Sequence, residues 1–353
     1  MLNKNVFPEI LLKWYHIHKR DLPWRNTRDA YVIWLSEVIM QQTRVNQGLP
    51  YFNKFIDTFP TVKELAEAQE VKVMRLWQGL GYYSRAKNLH ACAKNIMQNW
   101  GGAFPETYED LLKLEGVGKY TAAAIASFAF DKKVAVVDGN VYRVLARVFG
   151  LTEDISSPAG QRKFQAFAQQ LLPFEHSADY NQAIMEFGAL HCTPRLPLCE
   201  SCGFAKFCYA NQHEAHYELP VKSKKVKITN RYFDFAVFRY ENSLYLKRRE
   251  DKDIWHGLYD FYLIESDHVR EEEVVTDEIL GLYRVPNKTV VTHVSPVYKH
   301  ILTHQHLFAR FFLVDLSEQL NESWAGMKRY SMEMVHNLPK PILINNYLSE
   351  NIF

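Results

Sequence analysis

Two acidic residues stand where charge is costly. Glu37 is the only charged side chain between Ala30 and Thr43, in AYVIWLSEVIMQQT, with Ile33, Leu35, Val38 and Ile39 around it at helical spacing. A carboxyl in apolar surroundings resists ionisation, so its pKa rises and it can act as a general acid near neutral pH. Asp138 follows an apolar run and precedes a 3.6-periodic one, in VAVVDGNVYRVLARV. An Asp placed there caps a helix; at the positive helix end it stays ionised and can face a developing cation. A carboxyl that donates a proton and a carboxylate that faces an oxocarbenium-like sugar are the parts that cleave a glycosidic bond. Read singly, each residue also has a plainer explanation: Glu37 on a solvated helical face, Asp138 as a cap alone.

All but one of the cysteines fall in a single run, Cys192-x6-Cys199-x2-Cys202-x5-Cys208. In a reducing compartment such crowding points to metal rather than disulfides. Structural zinc sites usually carry two Cys-x-x-Cys pairs, and here there is one. Four thiolates on a compact loop also suit a [4Fe–4S] cluster. Spacing alone leaves iron–sulfur, zinc and free thiols open. Cys92 stands apart in a helical pattern and reads as a small buried hydrophobe.

Between two helical stretches lies LEGVGKYT, residues 114–121. Gly116 and Gly118 permit a tight turn with positive φ, and a helix is expected from about Lys119. Its free N–H groups and positive dipole end would hold a phosphate, a contact that positions a polyanion without reading sequence. An ordinary interhelical turn would look the same.

These residues need a scaffold. The 353 residues predict two domains, and 47% hydrophobic content excludes a disordered chain. No run of about 18 apolar residues exists to span a membrane, and MLNKNVFPEI lacks a signal peptide's apolar centre, so a cytoplasmic protein is expected, nucleoid-associated if bacterial. A net charge of +2 is too mild to argue for nucleic acid by itself. Residues 1–215 read as helical: Ile10, Leu11, Trp14 and Ile17 form one stripe, and Val141, Val144, Leu145 and Val148 another. Thr107 with Asp110 marks a helix start, and Gly150 a stop. Residues 216–229 form a basic linker with Lys222, Lys224, Lys225 and Lys227, either solvated or facing a polyanion. From 230 to 353 the chain favours strands. Arg231–Arg239 places Phe233, Phe235 and Val237 on one side; further strands are expected at 244–247, 257–264, 289–294, 297–303 and 306–314, with a short acidic helix at 270–282. The expected fold is multidomain: an all-α domain carrying the cysteine loop, then an α+β domain.

Together, SEVIMQQTRV (36–45), GLGYYSRAKNLH (79–90), LEGVGKYTAAAI (114–125), VVDGNVYRVLAR (136–147), NQAIMEFGALHC (181–192) and the cysteine spacing resemble the adenine DNA glycosylase (MutY) family, within the helix-hairpin-helix glycosylases of base-excision repair. Residues 8–210 carry the resemblance strongly, and 230–315 more loosely, through IWHGLYDF and KHILTH. It implies that Glu37 protonates a ring nitrogen of a flipped adenine, that Asp138 stabilises or transiently bonds the sugar cation, and that Tyr120 and Asn140 help place the two carboxyls. It assigns Gln42 and Tyr82 to wedging the duplex near the opposite base, and Arg25, Thr43 and Gln182 to adenine, the opposite base and the backbone. Cys192, Cys199, Cys202 and Cys208 would hold a [4Fe–4S] cluster. The later domain would be Nudix-like; Glu271, Glu272 and Glu273 lack the acidic pattern of a Nudix hydrolase, so recognition rather than a second reaction is expected.

The implied partner is double-stranded DNA with adenine opposite 8-oxoguanine or guanine, bound by a monomer. Bifunctional relatives such as endonuclease III carry lysine at the position of Tyr120, so base removal without strand cleavage is expected. The alternatives are a glycosylase with lyase activity and a non-catalytic iron–sulfur DNA-binding protein. The family's Phe-Ser-His loop reads Leu302-Thr303-His304 here. Thr303 keeps a hydroxyl that can donate and accept, so it is the expected reader of 8-oxoguanine, with His304 supporting it.

Overall fold

The computed structural model describes residues 6–223, 227–282, 285–320 and 324–352; Lys224 and Lys225 of the linker lie outside them. The chain forms two compact units. One takes the chain up to Glu67 and again from Asn88 into the linker; the other takes Ala68–Lys87 and the chain beyond the linker. The second unit thus draws in a segment of the helical half that composition alone does not set apart.

Every regular element among the described residues of the first unit is helical. Helix Gly139–Phe149 buries Val141, Val144, Leu145 and Val148 as its periodicity predicts, and Gly150 ends it in the left-handed region. These side chains join Phe7, Leu11, Phe164, Ile184 and Phe187 in one apolar cluster. On helix Val6–His18 the buried line is Phe7, Leu11 and Tyr15. The expected stripe through Ile17 is therefore corrected: that side chain is 70% exposed, and the true stripe starts one turn earlier at Phe7. Thr107 caps its helix by accepting the Asp110 N–H at 3.1 Å, as expected. Cys92 is buried, and burial pushes its thiol up to about 12. No helix among the described residues is long and apolar enough to cross a membrane.

The second unit is built on a mixed sheet. Strands β1 (Thr229–Tyr240), β2 (Ser243–Arg248), β3 (Tyr259–Asp260), β4 (Tyr262–Ser266), β5 (Val290–Val294), β6 (Tyr298–Ile301), β7 (Gln305–Asp315) and β8 (Lys328–Ser331) run in the order β3-β2-β1-β7-β5, with β4 on β1, β6 on β7 and β8 on β2. β1 and β7 pair in parallel from Thr229↔Gln305 to Arg239↔Asp315. Alternation predicts one buried face for β1, yet Phe233 to Phe238 are buried without a break. The cause is a helix on each face. Helix Glu272–Leu280 brings Val275 and Ile279 to Ala236 and Phe238. Helix Ile342–Asn351 stacks Tyr347 on Phe311 at 4.0 Å, and Phe311 stacks on Phe235 at 5.1 Å. A strand buried on both sides reads as a continuous apolar run.

Candidate active site

Glu37 lies on helix Ala30–Met40, whose interior is almost wholly buried. The Tyr120 hydroxyl donates to its Oε2 at 2.7 Å. Burial pushes the Glu37 carboxyl up to about 7; Asp138 adds to the rise, while the Tyr120 hydrogen bond and Arg25 oppose it. Tyr120 is the second residue of helix Lys119–Phe128. Its own hydroxyl is pushed up by burial and by the two carboxyls, so it stays a donor. Lys119, one position earlier, is exposed.

Asp138 caps helix Gly139–Phe149. Its Oδ1 accepts from the Asn140 N–H at 2.9 Å and the Val141 N–H at 2.8 Å, and its Oδ2 accepts from Asn140 Nδ2 at 2.7 Å. Burial raises the Asp138 carboxyl above its ordinary value, opposed by those donors and by Arg143. A cap in water would lower it; leaving water reverses the direction. Arg143 fixes the Asn140 amide, donating from Nη2 to Asn140 Oδ1 at 2.8 Å and from Nε to the Cys192 carbonyl at 2.8 Å.

Glu37, Tyr120, Asp138 and Asn140 line one cavity of about 420 Å³, within the ≈300–1,000 Å³ typical of small-ligand pockets. Arg25, Thr43 and Gln182 line it as well. Gln182 accepts from the Tyr15 hydroxyl at 2.9 Å. Three roles escaped sequence reasoning. Glu186, 1% exposed, receives Arg25 at 2.9 and 2.7 Å and Arg20 at 2.8 and 2.6 Å. Burial would raise that carboxyl, but the arginines outweigh it and hold it at about 2. Asn181 accepts from the Val136 N–H at 3.1 Å and donates to the Val134 carbonyl at 2.9 Å, bracing the segment that leads to Asp138. Arg147, also buried, donates to the carbonyls of Thr193, Pro194 and His216 at 2.7, 3.0 and 2.6 Å. A Glu flanked by apolar residues in MEFG was a visible signal; the carbonyl partners of the arginine were not.

The glycine turn behaves as half expected. Gly116 has φ +73°, and a Cβ there would meet Asn88 Cβ at 2.7 Å. Gly118 is a correction: its φ is −89°, ordinary for any residue, because it already serves as the N-cap of the next helix. No side chain caps that helix, and nothing lies within 4 Å of a Cβ built on Gly118. Gln42 lies outside the cavity, exposed, in the turn after Met40 with φ +55°.

In the second unit, Tyr82, Thr303 and His304 line a different cavity with Trp255 and His300. Tyr82 is exposed at φ +49°, beneath the Arg85 guanidinium at 5.5 Å. Its hydroxyl is hydrogen-bonded to the Thr303 hydroxyl. Thr303 and His304 are exposed in the turn joining β6 to β7.

Cys192, Cys199, Cys202 and Cys208 line one small cavity beside Arg147. Among the described residues no three His, Cys, Asp or Glu side chains stand as they would around a single metal ion. The donor set does fit a larger group. Four sulfurs around one cavity are the donor set that a [4Fe–4S] cluster takes, and burial pushes the Cys202 thiol up to about 11 and raises Cys199 and Cys208.

Residues 35–170 match the family described as "HhH-GPD superfamily base excision DNA repair protein", and residues 235–350 match the NUDIX domain. An adenine DNA glycosylase of Buchnera aphidicola subsp. Schizaphis graminum is 31% identical over 348 residues, covering 96% of each chain. The Homo sapiens adenine DNA glycosylase is 44% identical over 223 residues, 61% of this chain and 41% of that one. Among solved structures, a thermostable thymine-DNA glycosylase matches with TM-score 0.55 at 31% identity, covering 60% of this chain and 97% of that one. An endonuclease III–DNA complex, at 20% identity and TM-score 0.52, shares the fold over 61% of this chain and 99% of that one.

Proposed function

Because this chain belongs to the adenine DNA glycosylase family, we propose that it removes adenine from duplex DNA where adenine stands opposite 8-oxoguanine or guanine, as a step of base-excision repair. The reaction is hydrolysis of the N-glycosidic bond of a flipped base, without strand cleavage. Glu37, poised near pH 7, protonates the departing adenine. Asp138 offers its negative charge to the sugar cation. Tyr120 holds the Glu37 carboxyl, and Asn140 holds that of Asp138. Arg25, Thr43 and Gln182 border the pocket that receives the base. The uncapped helix beyond Gly116 and Gly118 takes a backbone phosphate. Gln42 and Tyr82, both held in the strained left-handed region, are the wedge residues, and Thr303 with His304 reads the opposite base. The four cysteines hold a [4Fe–4S] cluster, which supplies folding energy to the loop rather than a chemical step.

The observation that carries this reading is the joint placement of Glu37, Asp138 and Tyr120 in one cavity, with Tyr120 bonded to Glu37 and Lys119 outside. A lyase needs an amine at the sugar, and the pocket offers none from that helix. The test is one gel with a labelled duplex containing adenine opposite 8-oxoguanine. Breaks that appear only after hot alkali support the proposal. Breaks without alkali establish a lyase, and no abasic sites establish a binding protein.

A further inference from the structure

Resting on the iron–sulfur reading of the four cysteines, we infer that His216 is a fifth functional residue of that centre: its imidazole donates a hydrogen bond to the Cys199 sulfur and sets the cluster's potential and retention. His216 Nε2 lies 3.3 Å from Cys199 Sγ, and both line the cysteine cavity. A cluster-bound thiolate only accepts, so the nitrogen that faces it carries the proton. The contact is built, not incidental. Arg147, itself 2% exposed, donates from Nη2 to the His216 carbonyl at 2.6 Å and from Nη1 toward Cys192 Sγ at 3.6 Å. One buried guanidinium therefore fixes the backbone that carries the imidazole and addresses a second sulfur of the same set. His216 lies outside the Cys192–Cys208 run, so the ligand spacing does not reveal it. Cys199 is only half-buried, where water would otherwise compete for the sulfur.

Hydrogen bonds to the sulfurs stabilise the more electron-rich state of a cluster, and loss of such outer partners typically costs 10–100-fold in metal affinity. The experiment uses the full chain purified anaerobically as wild type, His216→Phe and His216→Gln, with voltammetry of the cluster and the rate of iron loss to a chelator as readouts. Phe keeps the volume and removes the donor; Gln keeps a donor. The Phe variant is expected to have a lower reduction potential and to lose iron on the order of 10-fold faster, with Gln restoring most of both. Unchanged potential and iron loss in the Phe variant overturns the inference. Equal damage in both variants also overturns it, since that marks a packing role. If the Phe variant does not fold, ¹⁵N-histidine labelling of wild type tests the same contact: a hyperfine coupling to the paramagnetic cluster that His216→Gln lacks supports it, and no such coupling overturns it. Wild type that carries no iron removes the cluster reading itself, a failure distinct from an iron-loaded protein indifferent to His216.

Discussion

Glu37 is buried and bonded to Tyr120, and Asp138 is held by the Asn140 and Val141 N–H groups and the Asn140 amide, with Arg143 fixing that amide in turn. Thr303 sits in an exposed turn, its hydroxyl shared with one exposed tyrosine. In the proposed function the first region does its chemistry with displaced pKa values, and displacement requires removal from water and fixed neighbours. The second, in the same proposal, presents groups that exchange water for a base edge, which requires exposure and freedom to change partner. Mutations should therefore act steeply in the first region and gradually in the second.

The steepest effect is expected at Glu37. Glu37→Gln keeps the shape and removes the proton source, so single-turnover adenine release should fall ~10²–10⁴-fold or more while duplex binding persists. A rate within about threefold of wild type would break the comparison at its centre. The same variant carries a stability signature. The folded carboxyl titrates at about 7 and the free one at 4.5, so the folded state holds the proton longer and stability falls as pH rises between those values. Glu37→Gln should thus raise Tm above pH 7 and lose that advantage below pH 4.5. A Tm difference independent of pH would mean that Glu37 is not held in a displaced state.

Asp138→Asn comes next. An amide caps a helix about as well as Asp, so stability should drop by no more than about 1 kcal/mol. The new NH₂ would, however, face Asn140 Nδ2, donor against donor, where 2.7 Å now separates donor from acceptor. With the negative charge gone as well, single-turnover excision should fall by ~10²–10³-fold. Activity lost only in proportion to a lowered Tm would make Asp138 a cap and nothing more.

The same contrast governs what could be read from sequence. Glu37 and Asp138 were legible because a charge inside an apolar run is conspicuous. Strands β1, β2, β5, β6 and β7 were legible from alternation and turns, although the burial of both faces of β1 was not, because it depends on helices Glu272–Leu280 and Ile342–Asn351. Strand β8 and the helices after it carry short, mixed patterns and went unseen. Arg143 and Arg147 sit on the helix that Asp138 caps, yet several of their partners are backbone carbonyls contributed by the residues around the cysteine loop. Every residue has a carbonyl, so no residue type announces such a contact. For Thr303 the sequence offered only a position within a resemblance; its bond to Tyr82 joins positions 221 apart.

A gentler test lies at Tyr120. Tyr120→Phe removes one hydrogen bond, worth about 1 kcal/mol, so excision at neutral pH should fall by roughly 3–10-fold. That bond lowers the Glu37 pKa, so its loss should move the high-pH limb of the rate profile upward. Single-turnover rates across pH 6 to 9 would show it. A limb that stays in place would separate the tyrosine from the proton donor.

An effect no larger than that at Tyr120 is expected at Thr303, where the second region is tested on its own terms. 8-Oxoguanine differs from guanine by an added carbonyl oxygen and by a ring nitrogen that has become a donor. A hydroxyl can answer either change. In the free protein, however, the Thr303 hydroxyl is already bonded to Tyr82, so a base edge must replace that bond rather than fill an empty place. A good base contact gives ≈1–3 kcal/mol of discrimination, and the exchange should leave the lower end, about 1 kcal/mol or roughly fivefold. Thr303→Ala should reduce the affinity ratio for 8-oxoguanine over guanine opposite adenine by that factor at fixed salt, with excision from the bound complex nearly unchanged. Tyr82→Phe removes the competing partner while keeping the ring that would wedge the duplex. If the two hydroxyls compete, Tyr82→Phe should hold or sharpen the ratio, and Thr303→Ala should cost more in that background than alone. Additive effects would show that the hydroxyls act separately. An unchanged ratio in Thr303→Ala would mean that this turn does not read the lesion and that discrimination rests elsewhere in the protein.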